Sequence, residues 1–148
     1  MTSFSTAFLV DQSPEEAFTA IADVRAWWSG EIDGTTDKLD AEFTYRYENL
    51  HFSKQHITEF SPYARLCWRV TEASISFTED PNEWTGTQVI FDVVPRGVQT
   101  EVRFTHLGLV PAFECYEKCS SAWSFYINGS LRRLIATGKG EPNRRHTE

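Results

Sequence analysis

Between residues 42 and 107 the chain alternates apolar and polar positions, the period of a half-buried β-strand, whereas its last third repeats every three or four residues. In that last third, "CYEKCSSAWSFYINGSLRRLIATGKG", the residues Tyr116, Ser120, Trp123, Ile127, Leu131 and Leu134 share one face of a helix. A helix over 111–137 would span about 40 Å, enough to cross a curved sheet completely. The pattern therefore predicts one long helix laid on an antiparallel sheet.

The remaining elements follow in order. "SFSTAFLV" alternates as a first strand, with Phe4, Thr6, Phe8 and Val10 on one face. Ser13, Pro14 and Glu16 form an N-cap, a first-turn proline and a capping-box glutamate, and they open a helix that carries Ala17, Phe18, Ile21 and Ala22. A second short helix is expected from Val24 to Trp28, ended by Gly30, and the polar residues 29–41 are expected to form a mobile loop. From Glu42 the period is two: Phe43, Tyr45 and Tyr47 point one way, "SKQHITEF" follows, and "RLCWRV" returns after Ser61 and Pro62 with Leu66, Trp68 and Val70 inward. "SISF" is expected to add a short strand, and "EDPNEWTG" to be a turn. Val89, Phe91 and Val93, then Val102, Phe104 and His106, mark the last two strands. Short connections favour antiparallel neighbours, and the last helix is expected to cover the sheet's apolar face.

Aromatic rings change this picture most. Eleven Phe, five Tyr and five Trp make up 14% of the 148 residues, enough to fill a core or to line a pocket. The length suits one domain, expected over 1–140 with a loose tail over 141–148. A net charge of −7 speaks against nucleic acid and anionic membranes as partners, and no apolar run approaches the roughly 18 residues of a membrane span. With no leader pattern at the N-terminus, the expected location is cytoplasmic. Three cysteines fit reduced thiols better than a disulfide framework. Cys115 and Cys119, even with His106, are too few for a structural zinc site, so no metal is expected. No phosphate loop, nucleophile elbow or cofactor fingerprint is present, so no cofactor is expected either. His51 and His56 read as ordinary strand or loop histidines.

The order of elements, with "SPEEAFTAIADVRAWW", "ITEFSPYARLCWRV", "GTQVIFDVVPRGVQTEVRFTHLGL" and "AWSFYINGSLRRLIATGKG", resembles the START-like or SRPBCC superfamily, and within it the bacterial group related to the activator of the HSP 90 ATPase. The resemblance covers about Phe4 to Gly140. It implies an α+β helix-grip fold, in which a curved antiparallel sheet wraps the C-terminal helix and encloses a cavity for apolar small molecules, with two short helices after the first strand. Fold analogy alone does not fix a function.

The residues themselves point to the same space. Tyr45, Tyr47, Trp68, Phe91, Phe104 and His106 face the side of the sheet that meets the helix, where Trp123 stands beside small residues. Adding Trp28, Phe113, Tyr116 and Ile127 gives the candidate lining of a cavity for an apolar or aromatic ligand. As catalysis, the residues offer only His106 with Glu59 as an acid–base pair, and a bulge before Phe60 would turn Glu59 away. A binding module is thus the first expectation, and an enzyme of the polyketide cyclase or hydrolase type the second. A cochaperone-type domain is the third, since the resemblance covers one of the activator's two domains. A homodimer is left open.

Overall fold

The computed structural model describes residues 3–28, 32–47, 51–75, 84–110 and 116–142, with Tyr47 and Ile75 described by their backbone alone. The chain forms β1 (Phe4–Val10), α1 (Pro14–Ala22), α2 (Val24–Trp27), β2 (Ile32–Gly34), β3 (Glu42–Tyr47), β4 (His51–Ser61), β5 (Arg65–Ile75), β6 (Gln88–Arg96) and β7 (Gln99–Leu107). A C-terminal helix follows as α3 (Tyr116–Ser124), a π-helical segment (Phe125–Leu131) and α4 (Arg132–Thr137). The strands make one curved antiparallel sheet in the order β1-β7-β6-β5-β4-β3-β2. It is a meander whose first strand returns beside the last.

Local chemistry explains most boundaries. The Ser13 hydroxyl accepts the Glu16 backbone N–H at 3.1 Å while the Ser13 N–H donates to the Glu16 carboxylate at 3.3 Å, the reciprocal box that starts α1. Gly138 ends α4 at a φ of 84°, a left-handed position, with its N–H on the Leu134 carbonyl.

Three expectations need correction. Residues 29–41 are not simply loop, because Ile32–Gly34 pairs with β3 as the sheet's edge. Arg25 holds that strand by donating to the Ile32 and Gly34 carbonyls at 3.0 and 2.7 Å, and Thr36 donates to the Ala22 carbonyl at 2.8 Å. A Cβ on Gly34 would lie 2.4 Å from the Glu42 carbonyl oxygen, so only glycine fits this close approach. The start of "SISF" is no extra strand but the end of β5, and residues 76–83 lie outside the described residues.

The third correction concerns the helix. Its buried stripe is Cys119, Trp123, Ile127, Leu131 and Ile135, each four residues after the last, whereas Tyr116, Ser120 and Leu134 are half-buried beside it. Steps of four drift about 40° around an α-helix. The π-helical turn, where the Arg132 N–H reaches back to the Ile127 carbonyl, takes up part of that drift and keeps the stripe on the sheet. Both junctions keep right-handed helical backbone. Ser130, inside the π segment, donates to the Trp27 carbonyl and accepts the Glu141 N–H, both at 2.7 Å, so the start of the expected tail is docked against the helix and α2.

Candidate functional site

Inner positions of β3 to β7, α2 and the helix meet in one aromatic cluster that contains all five tryptophans. Trp28 is its hub. It stacks on Tyr45 at a centroid distance of 4.1 Å, on Trp68 at 5.7 Å and on Trp27 at 6.2 Å, and it meets Trp123 at 4.9 Å. Trp123 continues the cluster to Phe104 at 4.8 Å and Trp84 at 5.8 Å, and Phe91 bridges Phe104 to Trp68. The reason is register: Leu66↔Phe91↔Phe104 and Trp68↔Val89↔His106 run across β5, β6 and β7 on one face.

Of the residues expected to line a cavity, Trp28, Tyr45, Trp68, Phe91, Phe104, His106, Trp123 and Ile127 are all buried here. Tyr116 is half-buried at the start of α3 and packs against the core. Phe113 and the Tyr47 side chain lie outside the described residues.

His106 is wholly buried within a closed network. The Trp123 indole N–H donates to its Nδ1 at 3.0 Å, which leaves the ring proton on Nε2, 2.8 Å from the Thr87 hydroxyl. Thr87 in turn donates to the Trp84 carbonyl at 2.5 Å. Burial, and secondarily the neighbouring His51, lower the His106 pKa to about 3, so the ring is neutral. Both its nitrogens are engaged in holding β7, the turn before β6 and the helix together.

Glu59 is not brought to His106. The register shifts between Ile57 and Glu59, so Ile57 meets Trp68 inside while Glu59 meets Cys67 on the outer face. There Glu59 accepts from the Ser61 hydroxyl at 3.0 Å and lies 4.0 Å from Arg65. Burial and this carboxylate push the Cys67 thiol up to about 11, which keeps it protonated. Cys119 is buried in the core, and Cys115 lies outside the described residues.

A second group, which the sequence reading passed over, sits on the inner face of β4. His51, Ser53 and Gln55 project there, and Trp84 reaches in from a stretch read as a plain turn. The His51 ring stands edge-on to Trp84 at 4.4 Å and to Tyr45 at 5.1 Å, and burial lowers its pKa to about 4. The Gln55 amide N–H donates to Ser53 at 2.5 Å. Among the described residues five side-chain atoms shut off from solvent have no hydrogen-bond partner; Gln12 Oε1 is one, and the other four, His51 Nε2, Gln55 Oε1, Trp68 Nε1 and Trp84 Nε1, belong to this group and its neighbour Trp68. The sequence held one signal for this group. A tryptophan in an otherwise polar turn is an outlier, because an indole rarely stays in water.

Chemically, the cluster is apolar, aromatic and uncharged, with its unpaired polar atoms on His51, Gln55, Trp68 and Trp84. Among the described residues no group of three His, Cys, Asp or Glu side chains could hold a metal.

No family model matches the chain, and no curated protein matches it either. Solved structures do. The chain is similar to the Aha1 dimer from Colwellia psychrerythraea, with 23% identity and a TM-score of 0.77 over 95% of this chain and all of that one. It is also similar to DynU16, a protein of the dynemicin biosynthetic locus, with 16% identity and a TM-score of 0.71 over 95% of this chain and 50% of the other. CalU16 from Micromonospora echinospora gives 16% identity and a TM-score of 0.66, over 95% of this chain and 77% of that one. The chain has a helix-grip fold like that of the Aha1 structure. At these identities the likeness is one of fold.

Proposed function

We propose that the protein binds a small ring-containing molecule between the inner face of the sheet and the C-terminal helix. The observation that carries this reading is the set of four unpaired buried atoms on His51, Gln55, Trp68 and Trp84 inside an aromatic cluster. Each such atom costs about 1 to 3 kcal/mol when it has lost water and gained nothing, and a bound molecule with matching groups would offset that cost. Rings supply broad apolar contact and the polar atoms supply orientation, the usual division in a ligand site.

The test is native mass spectrometry of freshly purified protein, with organic extraction of anything bound, followed by titration of the indole fluorescence. A saturable change on adding an aromatic ligand is expected. Failure of fatty acids, flavonoids, sterols and fused aromatic ketones alike to give one would end this reading.

A second reading, an enzyme acting on a polyketide-like substrate in the same place, draws on the likeness to a protein of a biosynthetic locus. Turnover lost on His51→Ala but kept in Thr87→Val would favour it. The likeness to a dimeric Aha1 structure makes a homodimer an option for this chain as well, which light scattering decides. Contact with a chaperone is the weakest option, and a pull-down with the purified chaperone tests it.

A further inference from the structure

We infer that the ligand is a neutral, planar ring system bearing a ketone-like acceptor oxygen and a hydroxyl donor, bound by the indole N–H groups of Trp68 and Trp84 and by Gln55 Oε1 and His51 Nε2, with carboxylates excluded. This deepens the binding reading above and rests on it. An indole N–H can only donate, so Trp68 and Trp84 call for an acceptor on the ligand. Gln55 commits its amide N–H to Ser53, which leaves Oε1 as the free end, and an amide oxygen only accepts. The two kinds of unpaired atom therefore demand a molecule with both functions. A plain hydrocarbon answers neither.

Planarity follows from the rings. Trp27, Trp28, Trp68 and Tyr45 lie nearly parallel, with interplanar angles of 16° for Trp27 with Trp28, 9° for Trp27 with Trp68, 11° for Trp28 with Trp68 and 7° for Trp28 with Tyr45. A flat ring can join such a stack, whereas a saturated or branched one cannot. Neutrality follows from the charges. Both histidines are uncharged, and Arg25, on α2 next to the tryptophans, is engaged with the carbonyls of β2. A buried carboxylate without a cation keeps its full desolvation cost.

A matched tricyclic series tests the inference by calorimetry: fluorene, fluorenone, hydroxyfluorenone and fluorenecarboxylate. The expected order of affinity is hydroxyfluorenone, fluorenone, fluorene and then the carboxylate, with steps of roughly threefold to tenfold for each neutral hydrogen bond gained. Trp84→Phe and Trp68→Phe should bring the fluorenone-to-fluorene ratio towards one, and Gln55→Leu should do the same for hydroxyfluorenone over fluorenone. These ratios are taken within each variant, so a general loss of affinity or folding cancels, and the wild-type series stands without them. Equal binding of fluorene and fluorenone, or tightest binding of the carboxylate, overturns the ligand class while leaving a binding site. Absence of saturable binding by all four overturns the ligand class, while the binding reading falls only if the broader screen above fails as well.

Discussion

His106 and His51 share one aromatic cluster and one protonation state, yet they stand in opposite conditions. Around His106 every polar atom is paired, from the Trp123 indole through the ring to Thr87 and the Trp84 carbonyl. Around His51 the polar atoms end without partners, on Nε2 itself and on Gln55, Trp68 and Trp84. A closed network fixes strands and helix in one arrangement, while an open one leaves free energy available to something that completes it. Trp84 belongs to both, since its carbonyl closes the first network and its indole N–H opens the second. That difference separates the histidine that ties strands and helix together from the one we propose to face a ligand.

The largest expected effect comes from breaking the closed side at its bulkiest member. Trp123 is 2% exposed and touches Trp28, Phe104 and Trp84, and its N–H is the partner of His106 Nδ1. Trp123→Ala should lower stability by about 3 to 5 kcal/mol, read as a shift of the urea midpoint. An unchanged midpoint would show that the helix is not seated as described.

Acid should break both sides together. Unfolded imidazoles titrate near about 6.5, while His51 is held at about 4 and His106 at about 3, so the unfolded chain binds two more protons between these values. The stability they contribute is fully present above about pH 6.5 and is lost as pH falls through about 4 and then about 3. Between about pH 6 and 4 the slope should approach 1.4 kcal/mol per pH unit for each histidine. His51→Phe should roughly halve it. A slope equal in wild type and variant would mean that His51 is not buried as a neutral ring.

These contrasts show what the sequence could and could not convey. Alternation over Val89, Phe91 and Val93 and over Val102, Phe104 and His106 reports directly which side chains turn inward, because a strand has period two. The cap at Ser13 is equally local. Glu59 was not legible, because one extra residue at the bulge reverses its face and no composition marks a bulge. Ile32–Gly34 was missed because a three-residue edge strand held by Arg25 and Thr36 carries no period of its own. The π-helical turn left its trace only in the strict four-residue spacing of Cys119, Trp123, Ile127, Leu131 and Ile135. Which buried polar atoms lack partners is a property of the assembled face and of no single segment.

A smaller change tests the closed side alone. Thr87→Val keeps the shape but leaves the His106 Nε2–H without an acceptor and the Trp84 carbonyl with the backbone N–H of residue 87 as its remaining donor. The expected cost is about 1 to 3 kcal/mol in thermal or urea unfolding, with the ring stack and its fluorescence preserved. A neutral outcome would mean that water replaces the hydroxyl, and Trp84 would then be free to move.

The smallest stability effect is expected on the open side. Gln55 is fully buried with Oε1 unpaired, so Gln55→Leu removes a desolvated acceptor and gains apolar contact beside Phe43 and Val70, its register neighbours. Against this stands the loss of its bond to Ser53. The two terms are similar in size, and the ligand-free protein should change by less than about 1 kcal/mol, in either direction. Thr87 behaves oppositely to Gln55 in this respect, because its hydroxyl carries a partner, His106 Nε2, that the mutation would strand. If Gln55→Leu instead destabilised the free protein as much as Thr87→Val does, Gln55 would be part of the closed network, and the division between the two histidines would vanish.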